Sequence, residues 1–296
     1  MRIVLLNQYY APDMAATAQL LADVGAGLAR AGHEVVAVCS DRSYASPGER
    51  YPAAEVIDGV RIVRCPTSGF GRARAIGRLA DYGTFLAGAA RALLAGPPPD
   101  VVLCLSTPPM IAALGAVYAR VAGAGFVYWV MDVYPDLAFE LGVLRRGSSA
   151  GGLLRVLSLG LLRRADRVIS LGESMAAKLA PAAGRPPEVV HNWADGDVIR
   201  PRPASTNPLR AEWGWADRFV VLYSGNMGLA HEFGTVLDAA ERFGDREDVL
   251  FAFVGGGPRR AEVVAEVDRR GLRNIEFRSY VERSRLGDSL TAGDVH

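Results

Sequence analysis

Two stretches of the chain, 2–17 and 219–234, combine residue types that could receive an anion. Each runs from a short apolar strand into a loop of small and polar residues and then into a helical pattern. The loops are Ala15-Ala16-Thr17 and Ser224-Gly225-Asn226-Met227-Gly228. Loops without large side chains let a ligand approach the backbone, and the N–H groups at the start of the next helix favour a phosphate. A third candidate is Asp132, which follows Val127-Tyr128-Trp129-Val130-Met131. A carboxylate there projects from the carboxyl edge of a sheet, where a polar catalytic or ligand-orienting group would stand. Each feature also has a purely structural reading: an ordinary turn at 224–228, the start of an Ala-rich helix at 15–17, and a cap or turn brace at Asp132. Gly255-Gly256-Gly257-Pro258 divides in the same way, because Gly followed by Pro also ends a strand and starts a helix with no ligand present.

The elements that must position these residues alternate between strand and helix. A helical spacing over 16–31 stops at Gly32 before a strand at 33–39, and Asp58-Gly59 marks a hairpin within 55–64. Further strands are predicted at 101–105, 126–130, 167–171 and 189–191, with helices near 76–95, 109–122, 150–164 and 173–180. Pro201, Pro203 and Pro208 signal a connection over 194–217. The alternation then restarts with strands at 219–224, 249–254 and 274–278 and helices at 232–243, 258–271 and 283–291. Such a pattern implies right-handed crossovers and parallel sheets. The predicted domains are therefore 1–193 and 218–296 with the linker between them. Asp294-Val295-His296 reads as the entry to another strand, so the second domain is expected to be incomplete and the sequence to be part of a longer protein.

At 296 residues and 50% hydrophobic content the chain is long enough for two cores. Its net charge of +1 provides no global field for a polyanion, which argues against nucleic-acid binding. Cys39, Cys65 and Cys104 are far apart and outside any metal-binding spacing, so they read as core residues in a reducing compartment. No signal peptide is recognisable after Met1, and a cytoplasmic location is expected. The apolar run 110–131 is divided by Gly123-Ala124-Gly125 into a buried helix and a strand rather than forming one membrane span.

Several motifs, in order, carry a family resemblance: Tyr9-Tyr10-Ala11-Pro12 through Ala16-Thr17-Ala18; Ala31-Gly32-His33-Glu34-Val35; Ser106-Thr107-Pro108-Pro109; Asp132-Val133-Tyr134-Pro135-Asp136; Ala165-Asp166-Arg167-Val168-Ile169; His191-Asn192-Trp193; the 224–228 loop; and Val254-Gly255-Gly256-Gly257-Pro258. Together they resemble the family 4 glycosyltransferases, especially the branch that builds bacterial surface polysaccharides. The resemblance implies an α/β protein of GT-B architecture, with two Rossmann-like doubly wound domains facing a cleft. It also implies retaining transfer from a nucleotide sugar, UDP-linked, to a glycan or a polyprenyl-linked saccharide, without a cofactor.

By that resemblance the C-terminal domain is the donor side. Gly225, Asn226, Met227 and Gly228 would lie against the diphosphate, and Gly255, Gly256 and Gly257 would admit the nucleotide. The N-terminal domain is the acceptor side, with Ala15, Ala16 and Thr17 at the cleft edge and Asp136 helping to orient the acceptor. His191 and Asn192 stand at a strand end near the hinge, where a cleft role and a packing role are both open. Two donor-side positions depart from the family: Asn226 stands where an arginine is usual, and His231 falls near the place of a phosphate-binding lysine. Arg259 and Arg260 are candidates to compensate. Many relatives carry a histidine near the strand end of Asp132, and this chain has none there. The family's paired glutamates, which contact the donor, have no counterpart before His296.

Asp195-Gly196-Asp197 resembles a metal-binding pair but lies in the linker, so no metal is assigned. Arg145-Arg146 and Arg163-Arg164 flank the apolar stretch 153–162, and Arg72, Arg74 and Arg78 precede the helix at 79–95. Basic residues beside apolar helix faces suit peripheral contact with the inner face of a cell membrane, and helices covering a parallel sheet look the same. Two other functions fit the two-domain plan. A sugar-nucleotide 2-epimerase would need acid/base groups in the cleft, and a non-catalytic two-lobed binding protein would normally carry an export signal.

Overall fold

Strand β1 (Arg2–Leu6) pairs in parallel with β2 (Glu34–Ser40) on one side and β5 (Val101–Cys104) on the other, and the winding of the first unit reverses at this point. The computed structural model describes residues 1–44, 48–70, 75–197 and 199–296, without the side chains of 75 and 283. Arg72 and Arg74 lie outside the described residues. The chain divides into two compact units, Met1–Trp193 and Ala194–His296.

The first unit contains β3 (Ala54–Ile57), β4 (Val60–Cys65), β6 (Gly125–Trp129), β7 (Arg167–Ser170) and β8 (Glu188–Val189) in an eight-stranded sheet of order β3-β4-β2-β1-β5-β6-β7-β8. Every pairing is parallel except β3 with β4. Asp58 and Gly59 join that hairpin with φ of 50° and 80°, the left-handed pair that a two-residue turn requires. From β1 the chain winds toward β2 through α1 (Ala16–Arg30). From β5 it winds the opposite way through α3 (Ile111–Ala122), α5 (Ser149–Arg164) and α6 (Glu173–Ala183). Right-handed crossovers travelling in opposite directions must lie on opposite faces. Accordingly Leu20 and Leu21 of α1 pack with Leu5, Ile62 and Trp129. Phe85 of α2 (Ala75–Ala95), Ile111, Leu161 and Leu179 share the other core with Val4 and Val102.

The apolar run 110–131 resolves into α3 and β6, with Gly123 ending the helix at φ 70°. Among the described residues no helix is long and apolar enough to cross a membrane. The three cysteines are buried and free. Burial raises all three thiols, Cys39 to about 12 and Cys65 to about 11.

In the second unit β9 (Phe219–Asn226), β10 (Val249–Gly256) and β11 (Ile275–Arg278) form a parallel sheet of order β11-β10-β9. Val295 makes a parallel bridge to Val221 on the open side of β9, where a further strand was expected to enter. Helices α8 (Gly234–Arg242) and α9 (Arg260–Arg270) cover one face through Leu237, Val263 and Val267.

Residues 204–217, assigned from the prolines to the linker, are instead built into this unit. Asn207 caps α7 (Pro208–Trp213), accepting from Leu209 N at 2.9 Å and Arg210 N at 3.2 Å. Trp215 is fully buried with Val220 and Leu250. The nearly buried Arg210 donates to the Asp294 carboxylate at 2.8 Å and to the Trp215 carbonyl at 3.1 Å. The prolines shape this segment, while a buried guanidinium and an indole hold it.

Candidate functional site

At the carboxyl edge of the first sheet, Leu6 is followed by Asn7 and Gln8, and β5, after the buried Leu105, by Ser106 and Thr107. Gln8 N donates to the Thr107 carbonyl at 2.8 Å, which joins the two strand ends at the reversal of winding. Asn7 is 1% exposed. Its amide nitrogen donates to the Tyr9 carbonyl at 2.7 Å and lies 3.4 Å from the Thr17 hydroxyl, while its Oδ1 is buried without a partner. Thr17 is thereby drawn to the strand end. The N–H groups of Ala16 and Thr17 have no partner among the described residues, and Ala15 offers no side-chain cap. Ala15 itself is buried against Tyr9 and Ala18, so this loop presents backbone rather than side chains.

The loop 9–15 is anchored from behind. Arg64, whose side chain is fully buried, donates to the carbonyls of Ala11 at 2.7 Å and Pro52 at 3.0 Å, pairs with Glu55 and lies over Tyr51. Asp13 accepts from Ala15 N at 3.0 Å and Tyr44 N at 2.7 Å.

Asp132 stands three residues beyond the end of β6. Ser106 Oγ accepts from the backbone N–H of Met131 at 3.1 Å and of Asp132 at 3.0 Å, fixing the turn on which the carboxylate sits. Burial raises the Asp132 pKa above the ordinary carboxylate range. Removal from water disfavours the charged form of the carboxylate. Its neighbour Tyr134 is raised to about 12, mainly by burial and then by the charge of Asp132 and by Tyr82, with Arg78 acting in the opposite sense. Arg78 and Tyr82 of α2 also line a depression along this edge with Gln8, Ser40 and Thr67.

Other residues expected here have structural partners. Asp136 begins α4 (Asp136–Glu140) and pairs with Lys178 at 2.7 Å. The His191 ring nitrogen Nδ1 lies 3.0 Å from the Leu171 carbonyl, an acceptor, so Nδ1 carries the proton. Asn192 is exposed. Trp193 donates from its indole to Asp23 at 2.9 Å and stacks on Trp129, fixing the last residue of the first unit to α1 and β6.

In the second unit, β9 and β10 run in register to their last residues, Gly255 beside Gly225 and Gly256 beside Asn226. Gly225, Gly255 and Gly257 have φ of 145°, 139° and 132°, which L side chains rarely adopt. A Cβ on Gly255 would lie 2.0 Å from the Gly225 carbonyl oxygen, and one on Gly257 would lie 2.6 Å from Met227 N. The space beside Gly225 is open for 4 Å. Met227 sits in the core with Phe233 and Phe253, so its side chain offers a ligand nothing, and its N–H is taken by the Gly256 carbonyl at 2.6 Å.

Tyr223 Oη donates to the Asn226 carbonyl at 2.8 Å and lies 2.7 Å from His231 Nδ1. A carbonyl can only accept, so the tyrosine proton goes there and His231 Nδ1 must donate to the phenol oxygen. In the neutral ring Nε2 is then a lone pair. A second proton makes it a donor that can serve a phosphate.

Two electrostatic expectations need correction. α8 does not offer its first N–H to a ligand, because the Glu232 carboxylate accepts from Gly234 N. Arg259 does not supply free charge at the loop: it pairs with Glu262, donates to the His231 carbonyl and lies over Phe233. Arg260 lies over Phe277.

Sequence reasoning missed Asn7 and Tyr280. Asn7 is legible as the first polar residue after an apolar strand. Tyr280 follows the end of β11 by two residues, is 56% exposed, and places its Cε2 3.0 Å from where a Gly256 Cβ would be.

The architecture, an eight-stranded sheet parallel but for β3 and a separate three-stranded parallel sheet, is the fold of the GT-B glycosyltransferases. The solved structure of Anabaena Alr3699/HepE in complex with UDP-glucose superposes with a TM-score of 0.70 at 17% identity, over 99% of this chain and 72% of that one. WaaG, a glycosyltransferase involved in lipopolysaccharide biosynthesis, gives 0.65 at 16% identity, over 99% and 73%. The glycosyl transferase 4-like domain matches residues 16–193, and the chain belongs to that family. A putative colanic acid biosynthesis glycosyl transferase, WcaI of Escherichia coli (strain K12), is 27% identical over all of this chain and 76% of its own length.

Proposed function

We propose that the protein is a retaining glycosyltransferase that moves a hexosyl or N-acetylhexosaminyl group from a UDP-linked sugar to a glycan or polyprenyl-linked saccharide in cell-envelope polysaccharide synthesis. The observation that carries this reading is the glycine edge of the second unit, where Gly225, Gly255 and Gly257 bring two strand ends together and leave open backbone at Gly225. A diphosphate leaving group needs close, pre-oriented donors rather than bulky side chains. His231, held through Tyr223, supplies one such donor when protonated. The exposed ring of Tyr280 beside Gly256 suits stacking by a nucleobase.

The edge of the first unit takes the acceptor in this reading. Asp132, half-buried at the strand end, orients the acceptor hydroxyl, and the N–H groups of Ala16 and Thr17, unpartnered among the described residues, receive a polar group of sugar or phosphate. The bound UDP-glucose of HepE and the colanic acid assignment of WcaI support the choice of donor and pathway. The reading places the enzyme on the cytoplasmic side of the membrane and invokes no metal or cofactor.

The test is incubation with a panel of nucleotide sugars, with and without lipid-linked saccharides extracted from envelope-forming bacteria. Free nucleotide released only with acceptor, and a product keeping the donor's anomeric configuration by NMR, is the expected result. An epimerised donor, or binding without turnover, would sink it.

A further inference from the structure

The amino edge of the first sheet, opposite the edge that carries Asp132, holds a cavity of about 190 Å³. Val4, Val36, Val38 and Val63 form its floor. The register sets Val4 beside Val36 and Val38 beside Val63, and alternate residues of a strand share a face. The roof is the last turn of α2 with the Gly96 and Pro97 that follow it. Leu93 is buried against the sheet, but Ala92, Ala95 and Gly96 beside it are too small to fill the space out to β4, and Val63 stays only partly covered. Protein interiors are close-packed, so a void of this size beneath a helix calls for an occupant.

The polar groups around this cavity are donors. Arg2 pairs through Nη1 with the Glu34 carboxylate, while its Nε is buried without a partner. Its Nη2 lies 3.7 Å from where a Gly96 Cβ would be and has no hydrogen bond among the described residues. Arg61 of β4 is exposed and has no acidic partner among the described residues. Tyr118 of α3 is 8% exposed, and its hydroxyl is likewise unpartnered. Burial raises the Tyr118 phenol, and the Arg2 charge acts on it in the opposite sense. No carboxylate lines the cavity. Glu34 and Asp100 at this edge are both engaged by Arg2, the second through the Arg2 backbone N–H at 2.6 Å.

Apolar walls reject a bare anion, and a mouth of unpartnered donors rejects an amine and gains nothing from a hydrocarbon alone. A dry cavity of ~150 Å³ takes up benzene, so the space here admits an apolar body of about six carbons. We propose that the cavity binds a small carboxylate carrying such a body, with the tail between α2 and the valine floor and the head at Arg2, Arg61 and Tyr118. A sugar or a diphosphate finds no matching wall there. The site therefore stands apart from the proposed transfer reaction and does not depend on it.

Calorimetric titration of the protein with hexanoate tests this, with acetate and hexanol as controls that lack the body and the charge. Hexanoate should saturate with a Kd of about 0.1 mM, and each control should bind at least about tenfold more weakly. Arg61→Gln should weaken hexanoate about tenfold and Tyr118→Phe about threefold, both with unchanged unfolding midpoints, because neither side chain has a partner to lose. Ala92→Leu puts an isobutyl group into the cavity, so it should abolish binding while raising the unfolding midpoint. Absence of saturable binding, hexanol binding as tightly as hexanoate, or full affinity retained by Ala92→Leu would overturn the proposal. Should Ala92→Leu not fold, Arg61→Gln decides alone, since it alters an exposed position: undiminished hexanoate affinity there overturns the site, and the tenfold loss supports it.

Discussion

The carbonyl oxygen of Gly225 occupies the place where a side chain on Gly255 would begin, 2.0 Å from the ideal Cβ position. Two strands thus close on each other at the edge assigned to the donor, and the approach is set by backbone alone.

Gly255→Ala should therefore destabilise the second unit by more than the roughly 1–3 kcal/mol of a strained backbone, because relief of the clash requires one strand end to move. Gly225→Ala has the same positive φ but open space beside it, so it should cost only the strain and should instead weaken UDP binding. Denaturant unfolding and calorimetric titration with UDP would separate the two effects. Equal losses of stability would contradict the geometry.

Asp132→Asn is expected to lower turnover by about a hundredfold or more while raising stability at neutral pH. The sign follows from its raised pKa: ionisation costs more in the folded protein than in the unfolded chain, so the folded state is favoured while the carboxyl is protonated and loses that advantage as pH rises through the folded pKa. Thermal unfolding should show the asparagine variant ahead at pH 7, with the gap closing as the pH falls below the ordinary aspartate value. A gap that widened on acidification would exclude burial as the cause.

Arg64→Met should cost about 3 kcal/mol, since two backbone carbonyls and Glu55 lose a fully buried donor. The loop 9–15 would loosen, and proteolysis within it should accelerate relative to the rest of the chain. Uniform susceptibility would show that the loop does not depend on this anchor.

Tyr223→Phe removes the hydroxyl that links His231 to the Asn226 carbonyl. Stability should fall by about 1 kcal/mol and UDP affinity by several-fold, because the imidazole loses its orientation. Unaltered affinity would remove His231 from the donor side.

Much of the architecture was readable from local chemistry. The Asp58-Gly59 hairpin, the stop at Gly32 and the division of 110–131 at Gly123 depend on backbone conformations that only certain residues adopt, and those residues stand at those positions. The short helices α4 and α7 were not readable as such, since five and six residues are too few for a periodic signal. Asn207 followed by Pro208 was a legible cap, but the proline cluster around it reads as a linker until Trp215 and Arg210 are seen buried.

At the candidate site the same division holds. Small residues beyond β1, glycines at the ends of β9 and β10 and a carboxylate beyond β6 are local facts, and the sequence alone determined them together with the winding of both sheets. Which groups remain available was decided by tertiary structure. Arg259 is consumed by Glu262 and Phe233, Met227 is buried, Glu232 caps α8, and Asp136 is held by Lys178. A charge or an N–H can serve a ligand only if no nearer partner claims it, and partners distant in sequence become near only when the chain has folded.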